Sequence, residues 1–118
     1  MSLTNTQLID IANNFGSPVY IYDASRISKQ YTKLVKAFTS DKVKFFYACK
    51  ALGNINILKI IKNTGCGLDT VSINEVKLGL QVGFAPKNII FTPNCVAFDE
   101  IREAVELGVY INIDNIRC

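Results

Sequence analysis

The feature that most limits how this chain can fold is a repeat of strand and helix patterns that begins after about residue 42. Four β-rich apolar runs cover residues 43–48, 67–72, 88–92 and 109–113, so that successive runs start 24, 21 and 21 residues apart. Apolar residues at helical spacing fill each interval between them. Because repeated βα units form parallel sheets with right-handed crossovers, we expect an α/β fold.

Cap and turn residues mark the ends of the helices in this repeat. Asn54 is expected to open the first helix, Ser72 to cap the second, and Asp114 to cap a further helix that the chain barely begins. Glycines stand at three successive helix ends, where a left-handed backbone costs glycine least: Gly65, Gly83 and Gly108.

Four βα units are half of a (β/α)8 barrel, which takes roughly 250 residues. A half barrel leaves two strand edges and an apolar face uncovered, and the slightly positive mean hydropathy is consistent with such a surface. The sequence therefore predicts a partial (β/α)8 barrel with three possible settings. It is a fragment of a longer protein, one of two copies that complete each other, or an open sheet. The end at "DNIRC", where a helix should begin, favours the fragment.

The first 42 residues follow a different pattern. "TQLIDIANNFG" predicts a short amphipathic helix that ends at Gly16, and residues 18–23 predict a short strand. Asp23 or Ser25 can cap a longer helix that runs to about Phe38. We expect residues 1–42 to lead into the barrel and residues 43–118 to form its first half.

The composition argues against several classes of function. The 13 basic residues are scattered and stand against 10 acidic residues, which is a weak basis for binding nucleic acid. No apolar run approaches the roughly 20 residues of a membrane span, and the N-terminus lacks the regions of a signal peptide. The four cysteines form no Cys-x-x-Cys pair and there is no histidine, so we expect no metal site and no histidine-dependent nucleophile. The cysteines are typical of reduced thiols in the cytoplasm.

Lys50, in "YACKALGN", is the candidate for chemistry. It follows the first strand of the repeat, and catalytic residues of (β/α)8 barrels lie at the carboxyl ends of strands. Partial desolvation in the barrel mouth would keep more of its amine neutral, and a neutral amine can attack an aldehyde. The competing interpretation is a solvated surface lysine, one of ten in the chain.

Five motifs resemble, in order, the N-terminal part of the fold-type III pyridoxal-phosphate decarboxylases. They are "VYIYD", "FFYACKALGN", "GCGLDTVSINEVKLGLQVGF", "IIFTPN" and "INIDN", and they extend from about Ser17 to Asn115. The resemblance implies a barrel of the alanine racemase-like type with pyridoxal 5'-phosphate as its cofactor. The family's Tyr-Ala-x-Lys-Ala stretch carries the lysine that binds this cofactor, and Lys50 holds that place. Many members continue Lys-Ala-Asn, whereas this chain has "KALGN" at the adjoining turn.

The resemblance also assigns roles to residues near Lys50. It places Ala48 and Asp69 on the cofactor's side of the barrel, where the carboxylate of Asp69 could steady the lysine ammonium. The alternative for Asp69 is an aspartate that orders the turn after its strand. Ser72 and Glu75 form the Ser-x-x-Glu pattern of a capping box, which explains both without chemistry, although the family also has a glutamate near the active site at the position of Glu75. Asn94 could be a turn residue or could line the substrate mouth, and the turn is the favoured interpretation.

The function implied by the resemblance is a lyase that decarboxylates an amino acid. The motifs most resemble the branch that converts meso-diaminopimelate to L-lysine and carbon dioxide in lysine biosynthesis, while ornithine, arginine and carboxynorspermidine decarboxylation remain open. A homodimer acting on a small-molecule amino acid, without nucleic acid or membrane, is implied. The family's ring-stacking histidine and glycine-rich phosphate loop lie later in its chain, so we expect these 118 residues alone to be inactive.

Two other interpretations belong to different classes of protein. A decarboxylase-like chain without activity could regulate the full enzyme through its open edge and apolar face. An open α/β binding domain is weakened by the lack of a Gly-x-Gly-x-x-Gly turn or a phosphate loop.

Overall fold

A computed structural model of the chain describes residues 3–113. Within them, the helices are α1 (Asn5–Phe15), α2 (Ala24–Lys36), α3 (Ile55–Asn63), α4 (Ile73–Val82) and α5 (Phe98–Glu106). The strands are β1 (Phe46–Ala48), β2 (Gly67–Thr70), β3 (Ile89–Phe91) and β4 (Tyr110–Ile111). Single 3-10 turns cover Cys49–Ala51 and Pro86–Asn88.

The four strands form one parallel sheet in the order β1-β2-β3-β4. Phe46 pairs with Gly67, Leu68 with Ile89, and Phe91 with Ile111. Helices α2, α3, α4 and α5 precede the four strands and pack side by side in the same order. The predicted α/β fold, a partial (β/α)8 barrel of about four units, is therefore confirmed.

The core lies between this helix layer and one face of the sheet. Leu58, Val76 and Ala104 are fully buried on three successive helices, and they belong to the same cluster as Leu68 and Phe91 of the sheet. Because side chains alternate along a strand, the residues between these buried positions point to the opposite face. We call that opposite side the inner face; it carries Phe46, Ala48, Asp69, Ile90, Thr92 and Tyr110.

The expected caps are present in the structure. The side-chain oxygen of Asn54 accepts hydrogen bonds from the backbone N–H groups of Asn56 at 2.9 Å and Ile57 at 3.4 Å. Asp23, rather than Ser25, caps α2 by accepting a bond from the N–H of Arg26 at 3.1 Å. The three glycines predicted at helix ends all adopt positive φ: Gly65 at 86°, Gly83 at 97° and Gly108 at 70°.

Some predicted boundaries are wrong. Residues 18–23 form no strand, because no other strand of the described chain lies beside them to accept or donate backbone hydrogen bonds. Tyr20 in this segment is 89% exposed. The strands of the sheet are also shorter than their apolar runs, since β1 begins at Phe46 rather than at residue 43. The helix predicted to start at Asp114 lies outside the described residues.

Candidate functional site

Lys50 lies in the 3-10 turn that directly follows β1. The turn is closed by a hydrogen bond from the backbone N–H of Leu52 to the carbonyl oxygen of Cys49 at 3.1 Å. The hydroxyl of Tyr47, within β1, donates to the carbonyl oxygen of Leu52 at 3.3 Å. The strand therefore holds the far end of the turn as well as its start, and the backbone of Lys50 is fixed at the carboxyl end of the sheet.

The surroundings of Lys50 differ from the prediction. Its neighbour Cys49 is 1% exposed and belongs to the core, whereas Lys50 is exposed. The expected desolvation of the amine is therefore absent among residues 3–113, because the helices of this segment cover only the other face of the sheet. A primary amine exposed at this position is accessible to an aldehyde.

Asp69 of β2 lies beside Ala48 of β1 in the register of the sheet. Its Oδ1 accepts a hydrogen bond from the hydroxyl of Thr92 at 2.7 Å. The N–H of Thr92 in turn donates to the carbonyl oxygen of Thr70 at 2.7 Å, which continues the ladder beyond β3. The carboxylate is thus held at the same end of the sheet as Lys50, although no ion pair joins the two within the described part of the chain.

Glu75 lies in the first turn of α4 and has a structural role. Its backbone N–H donates to the hydroxyl oxygen of Ser72 at 3.3 Å, as the capping box predicts. Its carboxylate accepts from the N–H of Val71 at 2.8 Å instead of the N–H of Ser72, so the reciprocal bond falls one residue earlier than in a full capping box.

Glu75 also lies near the turn that carries Lys50. Burial, together with the negative charge of Glu75, raises the pKa of the Cys49 thiol to about 11. Cys49 directly precedes Lys50 in this turn. The structure thus places Glu75 close enough to act electrostatically on Cys49, and Asp69 on the neighbouring strand, at the inner face.

Ala48 and Asn94 complete the predicted set. Ala48 is half-buried at the end of β1 and offers only a methyl group and its backbone. Asn94 is exposed in the bend after β3, and its side-chain oxygen accepts from the thiol of Cys95 at 3.4 Å. Cys95 has a positive φ of 54°, so this pair of residues makes the turn that the sequence favoured for Asn94.

Roles for Thr92 and for the hydroxyl of Tyr47 were not predicted from the sequence. Thr92 was assigned to a strand but given no role, although alternation places it on the same face as Ile90. The available signal was that Thr92, at the carboxyl end of β3, follows a strand predicted next to the one that carries Asp69. No local pattern could have revealed the bond from Tyr47 to Leu52, because the turn geometry decides it.

An open concavity of about 570 Å³ lies over the inner face. Its lining includes Phe46, Asp69, Ile90, Thr92, Tyr110, Ile111 and Asn112, but not Lys50. Among residues 3–113, no three His, Cys, Asp or Glu side chains come together as metal ligands do. In the same range, no helix has the length and apolar character needed to cross a bilayer.

The donor set fits an aldehyde cofactor with polar substituents. Lys50 offers an accessible primary amine for the aldehyde carbon, while Asp69 and Thr92 offer a carboxylate and a hydroxyl on the adjoining face. The concavity beside Asp69 and Thr92 also carries Ile90 and Tyr110, whose side chains can contact a planar ring.

Comparison with known proteins gives a consistent picture. Residues 24–117 match the family described as "Pyridoxal-dependent decarboxylase, pyridoxal binding domain". The chain is 38% identical to the diaminopimelate decarboxylase of Methanothermobacter thermautotrophicus over 109 residues, covering 91% of this chain and 26% of that protein. It is 36% identical to the diaminopimelate decarboxylase of Campylobacter jejuni over 106 residues, covering 89% of this chain and 26% of that protein.

Solved structures show the same similarity in three dimensions. Diaminopimelate decarboxylase from M. jannaschii in complex with L-lysine superposes with a TM-score of 0.84 at 30% identity, covering 93% of this chain and 27% of that one. Lysine/ornithine decarboxylase from Vibrio vulnificus in complex with putrescine gives a TM-score of 0.85 at 26% identity, covering 98% of this chain and 32% of that one. The chain therefore spans about a quarter to a third of the proteins that it matches.

Proposed function

The chain belongs to the pyridoxal-dependent decarboxylases, and from this premise we propose that it is the N-terminal part of a lyase that removes the carboxylate of an amino acid. The proposed substrate is meso-diaminopimelate and the product L-lysine, as in lysine biosynthesis. Supporting this choice, diaminopimelate decarboxylases reach 38% and 36% identity in sequence. Among the solved structures, the diaminopimelate decarboxylase of M. jannaschii is 30% identical and the lysine/ornithine enzyme 26% identical. Decarboxylation of ornithine, arginine or carboxynorspermidine is the alternative.

The observation that carries the proposal is the fixed position of Lys50 at the carboxyl end of β1. In the proposed site, the amine of Lys50 would hold pyridoxal 5'-phosphate through its aldehyde group. The bound cofactor supplies an electron sink for the bond that breaks as carbon dioxide leaves. The bond from Tyr47 to Leu52 keeps the turn, and with it the amine, at the end of the strand.

Asp69 and Thr92 are proposed to act as one unit beside that amine. The hydroxyl of Thr92 donates to Oδ1 of Asp69 at 2.7 Å and so restricts the rotation of the carboxylate. The second carboxylate oxygen would then be available to accept a hydrogen bond from the ammonium form of Lys50. Ala48, beside Asp69 in the register, leaves room for the cofactor because it ends in a methyl group.

Glu75 is proposed to support the site through the backbone. Its bond to the N–H of Val71 fixes the connection between β2 and α4, next to the turn that carries Lys50. A direct role for Glu75 toward the cofactor is carried by the family resemblance alone.

The wider organisation is proposed on the same basis. Residues 1–42 would lead into the barrel and residues 43–118 would form its first half. The whole protein would be a cytoplasmic homodimer. Since this chain contains no histidine and spans about 26% of its diaminopimelate decarboxylase relatives, we expect no release of carbon dioxide from the 118 residues alone.

The test is covalent trapping of the cofactor. Pyridoxal 5'-phosphate is added, the adduct is reduced with borohydride, and the modified lysine is identified by mass after digestion. We expect one dominant adduct, on Lys50. The variant Lys50→Arg should lose it, whereas Lys59→Arg, which changes an exposed lysine of α3, should keep it.

Two outcomes would count against the proposal. Adducts spread evenly over the ten lysines would show that Lys50 has no special access to the cofactor. A dominant adduct that persists in Lys50→Arg would assign the site to another lysine.

A further inference from the structure

The turn that carries Lys50 connects β1 to α3, and both of its ends are fixed. At its start, Cys49 is 1% exposed and belongs to the core. At its exit, the side chain of Asn54 caps α3 by accepting from two backbone N–H groups of that helix. Between these ends, Lys50, Ala51 and Gly53 are exposed. The position of the amine therefore depends on how the backbone of this short stretch is held.

Leu52 is the residue through which the stretch is held. Its backbone N–H donates to the carbonyl oxygen of Cys49 at 3.1 Å, which closes the 3-10 turn. Its own carbonyl oxygen accepts from the hydroxyl of Tyr47 at 3.3 Å. The first bond joins the turn to itself, whereas the second joins the turn to β1. The hydroxyl of Tyr47 thus ties the backbone beside Lys50 to the sheet.

Tyr47 reaches the turn from the side of the helix layer. Side chains alternate along β1, and Phe46 and Ala48 lie on the inner face, so Tyr47 points to the opposite side, where its ring packs against the core. Burial raises the pKa of its hydroxyl, and the nearby Cys49 and Tyr22 raise it further, so the phenol remains a donor throughout the neutral range. Tyr47 therefore supports the turn without occupying the face that would hold a cofactor.

We propose that Tyr47 is a positioning residue for Lys50. Its hydroxyl, acting through the carbonyl group of Leu52, holds the turn in the conformation that presents the amine at the carboxyl end of β1. The fixed position of its backbone then distinguishes Lys50 from the nine other lysines of the chain. This inference rests on the proposed function, because it takes pyridoxal 5'-phosphate as the molecule that Lys50 binds. It adds that selectivity for Lys50 depends on one hydroxyl that does not touch the cofactor.

The first test is the selectivity of covalent trapping in Tyr47→Phe. This change removes the hydroxyl and keeps the ring, so the fold should persist, and far-UV circular dichroism checks this. Each folded chain is treated with pyridoxal 5'-phosphate and borohydride, and the yield of adduct at every lysine is measured by mass after digestion. The selectivity is the yield at Lys50 divided by the mean yield at the nine other lysines. Loss of one hydrogen bond of ordinary net strength should lower it about fivefold.

Two matched variants separate positioning from a general loss of stability. Tyr31→Phe removes a phenol hydroxyl from a ring that packs edge-on against Phe45, at the amino end of the sheet. Thr64→Val removes a hydroxyl that donates to the carbonyl oxygen of Ile61 at 2.6 Å, at the far end of α3. Each variant loses one hydroxyl, as Tyr47→Phe does, and neither change lies in the turn. Both should keep the selectivity of the unmodified chain.

Amide hydrogen exchange measures the turn directly and needs no cofactor. The N–H of Leu52 is bonded within the turn, so its exchange with solvent reports how often the turn opens. The N–H of Leu58, which donates to the carbonyl oxygen of Asn54 at 2.9 Å in the first turn of α3, is the reference. General destabilisation would speed both amides alike. The ratio of the Leu52 rate to the Leu58 rate should therefore rise about fivefold in Tyr47→Phe and stay unchanged in Thr64→Val.

The positioning role would be overturned by an exchange ratio that is the same in Tyr47→Phe and in the unmodified chain. In a chain with a dominant Lys50 adduct, a selectivity that does not fall in Tyr47→Phe would overturn it as well. Equal losses in Tyr47→Phe and Thr64→Val would do the same, because they would show a general effect on stability.

Failure of the proposed function gives a different result. Adducts spread evenly over the lysines of the unmodified chain would refute that function. If the exchange ratio still rises in Tyr47→Phe, the hydroxyl fixes the turn whatever molecule Lys50 binds. A dominant Lys50 adduct in every variant, with one common exchange ratio, would instead refute the role of Tyr47 alone.

Discussion

Replacing Gly67 by alanine tests the packing directly beneath the candidate site. Gly67 opens β2 opposite Phe46 of β1, and a Cβ at this position would overlap the Cδ1 and Cε1 atoms of the Phe46 ring. It would also lie 3.0 Å from the backbone carbonyl oxygen of Asn88, which is closer than ordinary contact. The ring must swing away and the backbone must shift.

The expected cost follows from these two movements. Overpacking of this kind costs about 1–3 kcal/mol, and the reduced freedom of alanine in the unfolded chain returns about 0.5 kcal/mol. We therefore expect Gly67→Ala to lower the free energy of unfolding by about 1.5 kcal/mol, measured by urea denaturation. Gly53→Ala is the control, because its added Cβ would meet no atom closer than 3.7 Å.

A double-mutant cycle isolates the cause. Phe46→Ala removes the ring that obstructs the new methyl group, so Gly67→Ala should cost at least about 1 kcal/mol less in that background. Full additivity of the two changes would refute the argument, as would a Gly67→Ala protein with the urea midpoint of the unmodified chain.

Two further predictions concern the candidate site and the buried thiols. Thr92→Val keeps the shape of the side chain but removes the donor to Asp69, so it should lower the free energy of unfolding by about 1 kcal/mol in urea denaturation. Thr92→Ser keeps the hydroxyl and should lower it by less than about 0.5 kcal/mol. Equal losses in the two variants would contradict a role for the hydroxyl. Burial, helped at Cys49 by the charge of Glu75, raises the pKa of both Cys49 and Cys66 from 9.0 to about 11. The stabilisation is therefore complete below pH 9 and is lost as pH rises toward about 11, because the unfolded chain releases these protons first. Urea denaturation across this range should show a steeper loss of stability than in a Cys49→Ala, Cys66→Ala chain, and identical slopes would contradict the assignment.

The helix boundaries could be predicted from the sequence because they depend on local chemistry. An asparagine side chain at position 54 can satisfy the free N–H groups of a helix start wherever that helix lies, and Gly83 can adopt its positive φ of 97° with little strain. The number of strands and their parallel order followed from the spacing of these helices.

Long-range contacts could not be predicted in the same way. Residues 18–23 have the composition of a strand, but a strand exists only where another backbone lies beside it, and the described chain supplies none. The bond between Thr92 and Asp69 joins residues 23 positions apart and depends on the register of β2 and β3, which no local pattern specifies.

The candidate site combines both kinds of requirement in one residue. The position of Lys50 is determined locally, by the 3-10 turn and the bond from Tyr47 to Leu52. A segment with only four strands is therefore enough to fix that position. The environment of its amine is determined by whatever closes the inner face, and with helices on the other face alone that amine stays exposed. Attachment of a cofactor requires only an accessible amine at the fixed position of Lys50. Efficient decarboxylation requires enclosure as well, because the exclusion of water strengthens the electrostatic interactions of a site. An adduct at Lys50 without release of carbon dioxide is the behaviour that this division of requirements predicts.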